Sequence, residues 1–130
     1  VTTELLAESP LEFPRFNDLG YAMRPYRYVY GASQSGRGFI DSLVKLDIET
    51  GAAGVWQARG CYPGEPVFVA APQAETEDQG VILSVVLDAA ANTSFLLVLD
   101  AQSFTELARA VLPHHIPFGF HGNFFPQPDV

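Results

Sequence analysis

His121 and Glu65 are the residues whose type and surroundings point most directly to chemistry. His121 stands in Ile116-Pro117-Phe118-Gly119-Phe120-His121-Gly122-Asn123-Phe124-Phe125, among bulky apolar residues and beside a glycine. An imidazole there can ligate a metal from a dry pocket, and Gly122 leaves space next to it. Glu65 is the lone carboxylate of Cys61-Tyr62-Pro63-Gly64-Glu65-Pro66-Val67-Phe68-Val69. A buried carboxylate needs a donor or a cation, and a metal-bound histidine needs an acceptor for its second ring N–H. Glu65 is therefore the best partner for His121. The competing reading is a histidine satisfied within the core, which is the commoner fate of a single His in an apolar run.

Other candidates are weaker. His114 and His115 are adjacent, so on a strand they would point to opposite faces and could not chelate one ion; they are expected at a strand end, one of them exposed. Gly31-Ala32-Ser33-Gln34-Ser35-Gly36-Arg37-Gly38 lacks the terminal Lys and following helix of a phosphate loop. It reads as a mobile hairpin connection. Ser33 lacks the second glycine of a nucleophile elbow. Cys61 reads as structural rather than nucleophilic, and Asn92-Thr93-Ser94 as a turn rather than a glycosylation site.

The elements that must position these residues are strands. Arg27-Tyr28-Val29-Tyr30 is aromatic and β-branched. Residues 39–48 form the next run, Glu49-Thr50-Gly51 a turn with Gly51 at positive φ, and residues 54–58 a returning hairpin strand. The pattern repeats in residues 66–70, 80–87 and 93–100. Residues 80–87 are nearly all apolar, which predicts burial on both faces. Residues 106–112 suit a helix by propensity, but their place after two β-runs favours a third strand. The chain is thus read as all-β, with two successive groups of three or four antiparallel strands, as in two neighbouring propeller blades. An excised pair of blades leaves apolar flanks open, so association or rearrangement is expected.

The 130 residues are expected to form one domain. With 48% hydrophobic and 12% aromatic residues the chain can build a core. A formal net charge of -8 and only seven Lys and Arg exclude a basic stripe for nucleic acid. The single cysteine allows no internal disulfide and fits a reducing compartment. No run approaches the ~20 apolar residues of a membrane span, and the N-terminus has no signal-peptide pattern. Beginning at Val1 suits a fragment or a processed product. Residues 1–10 and 126–130 are expected to be poorly ordered.

Five blocks carry a family likeness. They are Glu12-Phe13-Pro14-Arg15-Phe16-Asn17, Pro25-Tyr26-Arg27-Tyr28-Val29-Tyr30-Gly31, Tyr62-Pro63-Gly64-Glu65-Pro66-Val67-Phe68-Val69, Glu77-Asp78-Gln79-Gly80-Val81-Ile82-Leu83-Ser84-Val85-Val86 and Ile116-Pro117-Phe118-Gly119-Phe120-His121-Gly122. In this order they resemble the C-terminal part of the carotenoid cleavage oxygenase family. That family includes retinal-forming carotene oxygenases, apocarotenoid and stilbene oxygenases, and the retinoid isomerohydrolase of the eye. The likeness runs from Leu11 to Phe125.

The resemblance implies a seven-bladed β-propeller with Fe(II) on its axis, held by four histidines whose rings are oriented by glutamates. His121-Gly122 matches the last ligand motif, while Glu65 and Glu12 match two of the orienting glutamates. The other three ligands belong to parts of the family sequence that this chain lacks, so residues 1–130 alone are expected to be inactive. The implied partners are dioxygen and an apolar polyene, a carotenoid or apocarotenoid, whose tunnel the many aromatic residues could line if they are not simply core. The expected setting is cytoplasmic, with peripheral membrane contact through parts of a longer protein. The alternatives are a non-catalytic β interaction module that pairs through its open edges, and a fragment of a retinoid isomerohydrolase or stilbene-cleaving oxygenase.

Overall fold

Short apolar runs separated by turn residues build two antiparallel meanders. The computed structural model describes residues 1–5, 10–36 and 38–127. The first sheet has the order β1 (Glu12–Arg15), β2 (Tyr28–Ser33), β3 (Ser42–Asp47), β4 (Ala53–Gln57). A single helical turn, α1 (Asp18–Tyr21), follows β1, and the Asn17 side chain caps it by accepting from the Gly20 N–H. The second sheet contains β5 (Cys61–Pro63), β6 (Val67–Ala70), β7 (Gly80–Asp88), β8 (Thr93–Asp100) and β9 (Glu106–Val111).

In the second sheet β5 and β6 both pair with β7, along its last and first residues respectively. They act as one strand broken at residues 64–66. Pro66 has no N–H to give to a ladder, so pairing must lapse there. Allowing for that break, each sheet is a four-stranded antiparallel meander. Residues 106–111 are strand, as their position after two β-runs indicates.

Several expectations are corrected. β3 begins at Ser42, and Phe39 is exposed in the preceding loop. Gly31 to Ser33 belong to β2, so the glycine-containing connection is shorter than the sequence suggests. β7 is not buried on both faces: Ile82, Ser84 and Val86 are buried, whereas Val85 is 42% exposed. The reason is that Leu83, Val85 and Leu87 face a cavity rather than another sheet. The strand β1 was not anticipated, because four residues with a proline show no alternation. His114 and His115 lie beyond β9, both exposed, rather than on a strand. Of the expected loose ends, residues 1–5, 10, 126 and 127 carry no regular secondary structure, while 6–9 and 128–130 lie outside the described residues. Arg37 of the glycine-containing connection also lies outside them.

One apolar cluster joins the sheets. Tyr30, Ala32, Leu43 and Trp56 of the first meet Ile82, Val86, Phe95, Leu97 and Leu99 of the second, together with Phe104. The Tyr30 ring stacks on Phe68 and Phe104 at 5.6 and 6.2 Å between centroids.

A polar clasp crosses the same boundary at the turn before β7. The Glu77 carboxylate accepts the backbone N–H groups of Arg27 at 2.9 Å and Tyr28 at 2.8 Å. The Asn17 side chain donates to the Glu77 carbonyl at 3.0 Å. Lys45 Nζ donates to Asp78 at 2.7 Å and to the Gln102 carbonyl at 3.0 Å, and sits 4.2 Å from the Tyr28 ring centre. The Lys45 and Asp78 side chains are only 10% and 11% exposed, so removing one partner strands a buried charge. Lys45→Met should lower the unfolding free energy by about 3–5 kcal/mol. The double change Lys45→Met with Asp78→Leu should cost less than the single one. Urea denaturation of the three proteins checks the order.

Candidate functional site

Glu65 sits in the break between β5 and β6, and the break is what makes it available. The Gly64 N–H donates to the Val85 carbonyl at 2.9 Å, and the Ser84 hydroxyl donates to the Gly64 carbonyl at 3.0 Å. A side chain at Gly64 would press on the Val85 carbonyl at 3.3 Å, which favours glycine there. Pairing thus holds up to Gly64 and resumes at Val67, and Glu65 projects from the interruption. Its side chain is 5% exposed.

The C-terminal segment reaches it without strand or helix. Ser94, fully buried, anchors that segment: its carbonyl accepts from Leu112 N–H at 2.8 Å, and its hydroxyl accepts from Ile116 N–H at 2.8 Å. The chain then passes over the open face of β7 and β8. Phe118 stacks on Phe39 at 4.5 Å between centroids.

At the end of this path three donors converge on Glu65. The Gly122 N–H donates to Oε2 at 2.8 Å. His121 Nδ1 lies 3.2 Å from Oε1. Arg15 Nη1 lies 3.3 Å from the same oxygen. Burial raises the Glu65 carboxyl, but the Gly122 N–H, His121 and Arg15 together outweigh it, so the group lies below the ordinary carboxylate range. The pair expected from the sequence is therefore brought together across 56 residues of chain.

The His121 ring also has two aromatic neighbours. Phe13 meets it edge-on at 5.7 Å and Phe120 at 5.2 Å. Its side chain is 67% exposed rather than in a dry pocket. In the tautomer that donates Nδ1–H to the carboxylate, an imidazole carries its lone pair on Nε2. That nitrogen makes no hydrogen bond among the described residues. The donor chemistry fits one position of a metal centre that takes imidazole. Among the described residues, no group of three or more His, Cys, Asp and Glu could hold an ion.

Glu12 does not join this cluster. It is exposed in β1, and its carboxylate makes no hydrogen bond among the described residues. His114 and His115 remain apart from it too. Arg15 and Asn123 were missed in the sequence. The signal was present, because a buried carboxylate needs a cation and Arg15 stands in one of the motif blocks. Beside the site, under residues 116–124, lies a cavity of about 510 Å³. Its walls include Phe13, Leu83, Val85, Leu96, Phe118 and Phe120, together with Glu65 and His121.

Residues 1–126 match the profile of the family described as retinal pigment epithelial membrane protein. The chain belongs to this family. Its relatives are named carotenoid-cleaving dioxygenases, in agreement with the motif blocks. The mitochondrial carotenoid-cleaving dioxygenase of Mustela putorius furo is 47% identical over 123 residues, covering 93% of this chain and 22% of that protein. The human protein of the same name is 45% identical over 125 residues, 95% and 21% respectively. The β,β-carotene 15,15'-dioxygenase of Mus musculus is 42% identical over 127 residues, 97% and 22%. Among solved structures, an ACO/RPE65 chimera superposes with a TM-score of 0.89 at 32% identity, over 95% of this chain and 27% of the chimera. Cobalt-substituted Synechocystis ACO gives 0.85 at 33% identity, over 91% and 26%. The chain thus spans about a fifth of the length of the curated relatives it matches. The antiparallel sheets agree with part of a propeller-like fold, and no helix among the described residues is long and apolar enough to cross a membrane.

The depressed Glu65 carboxyl gives a pH dependence with a definite sign. Its contribution to stability is complete above the unfolded carboxylate value of about 4.3. It is lost as pH falls through the lower folded value. Unfolding midpoints measured from pH 7 down to pH 3 should therefore fall more steeply for the natural protein than for Glu65→Gln.

Proposed function

We propose that residues 1–130 are the C-terminal segment of a non-haem iron dioxygenase that oxidatively cleaves carbon–carbon double bonds of carotenoids or apocarotenoids. In this reading the two sheets are neighbouring blades of a seven-bladed β-propeller. The observation that carries the reading is the contact of His121 Nδ1 with the buried Glu65 carboxylate, which leaves Nε2 open. An imidazole oriented by a carboxylate is the arrangement a metal-ligating histidine needs.

His121 would be one of four histidine ligands to Fe(II), the other three coming from the rest of the protein. Iron, when bound, supplies the activation of dioxygen. Glu65 holds the proton at Nδ1 of His121 and so keeps the ring in the ligating tautomer. Its burial and its other two donors fix the carboxylate in place. Glu12 would orient a ligand ring from outside this chain, which accounts for its making no hydrogen bond among the described residues. The aromatic and aliphatic walls of the cavity would bind an apolar polyene and exclude water beside the reacting double bond. The names of the relatives support cleavage of carotenoids, and a cobalt-substituted structural neighbour supports a metal centre in the fold.

A non-catalytic interaction module is the second reading, favoured by one observation. β9 is exposed along its length, and Phe120 and Phe125 are 73% and 81% exposed. The full-length protein separates the two readings. It should contain iron and cleave a carotenoid. His121→Ala should abolish iron binding or nearly so, and Glu65→Gln should weaken it ~10–100-fold. The purified 130-residue chain should show no turnover. A full-length protein without iron or cleavage would overturn the enzyme reading, and turnover by the short chain would overturn the ligand accounting.

A further inference from the structure

Arg15 belongs to the first sheet, yet all three acceptors of its guanidinium belong to the other side of the site. Nη1 donates to Glu65 Oε1 at 3.3 Å and to the Gly122 carbonyl at 3.2 Å. Nη2 donates to Asn123 Oδ1 at 3.3 Å. Glu65 Oε1 is also the oxygen that faces His121 Nδ1. One oxygen thus joins the guanidinium to the imidazole, and the residue after His121 is held twice: its N–H by Glu65 and its carbonyl by Arg15.

The placement of Arg15 follows from an irregularity in β1. Glu12 pairs with Ala32 and Arg15 with Tyr30, so β1 carries one residue more than β2 over that stretch. Phe13, within it, has a φ of 52°. That region is sparsely occupied by bulky residues, and such bulges re-aim side chains. Phe13 is turned edge-on to the His121 ring and to Phe120. The first sheet therefore touches the ring directly through Phe13 and its acceptor through Arg15.

We propose that Arg15 is a positioning residue for the His121 ring, acting through the Glu65 carboxylate and the Gly122–Asn123 backbone. This rests on the reading of His121 as a metal ligand. A planar guanidinium can span three acceptors in fixed directions, whereas a lysine ammonium is a point charge on a flexible stem. Its removal leaves Glu65 with Gly122 and His121 alone, and frees the carbonyl of Gly122, the residue next to the histidine. Arg15 is itself part-exposed, and the buried Glu65 carboxylate keeps the Gly122 N–H and His121 as donors, so the loss should appear in the metal site more than in the fold.

The test uses the full-length protein loaded with Co(II), whose visible spectrum reports ligand geometry. Metal affinity is read by competition with a chelator, and folding by thermal melting of the metal-free protein. Arg15→Ala should weaken Co(II) binding ~10-fold or more and shift the cobalt spectrum, with a melting midpoint close to that of the natural protein. Arg15→Lys should fold and give an intermediate affinity. Affinity and spectrum unchanged in Arg15→Ala would overturn the inference and leave the functional reading intact. If Arg15→Ala does not fold, Arg15→Lys decides: a natural affinity and spectrum overturn the inference, and a weakened affinity with a shifted spectrum supports it. A natural protein that takes up no cobalt overturns the functional reading and this inference with it.

Discussion

The acidic turn Glu77-Asp78 holds the two sheets in one relative position, and the His121 site inherits its geometry from that clasp. The turn belongs to the second sheet, but its acceptors meet the backbone of Arg27 and Tyr28, the side chain of Lys45 and the capping residue Asn17. Asn17 and Arg27–Tyr28 stand at the two ends of the segment between β1 and β2. The position of β1 matters because Arg15 and Phe13 come from it, while Glu65 comes from the second sheet. Sliding one sheet past the other by a residue would separate the guanidinium from the carboxylate. The apolar cluster supplies attraction between the sheets, but apolar contact has no direction. Directed bonds at the turn supply the register.

The broken strand solves a second difficulty, which is how to bury a carboxylate in an apolar sheet. An unbroken strand would commit the peptide groups of residues 64–66 to the ladder with β7 and direct each side chain to one of the two faces. Pro66 interrupts that ladder, while Gly64 lets the backbone lie close against Val85. The cost of burying Glu65 is then offset by three donors from two distant segments. Two of them come from a C-terminal stretch with no secondary structure of its own. That stretch is ordered by what it touches: Ser94 at its start, Phe39 and the cavity in its middle, Glu65 at its end. The carboxylate that orients the ring thus also moors the chain carrying it.

Local pattern in the amino-acid sequence determined most of the strands, since alternation and turn residues act between neighbours. Gly51 stands at positive φ in the turn where it was expected, and residues 106–111 follow the meander rather than their helical propensity. The motif blocks likewise pointed to the family and singled out Glu65 and His121. Other features had no local signature. β1 was too short and too proline-bound to show alternation, and β7 read as doubly buried although one face borders the cavity. The sequence shows that a buried carboxylate needs donors, but not which ones reach it. Arg15 and the Gly122 carbonyl are 107 residues apart, and only the apposition of the two sheets brings them together. The exposure of the His121 ring was equally beyond local pattern, because burial depends on which surfaces fold over a residue. Residue types therefore announced the chemistry, and tertiary contact decided which groups perform it, because hydrogen bonds act over about 3 Å whereas their partners lie far apart along the chain.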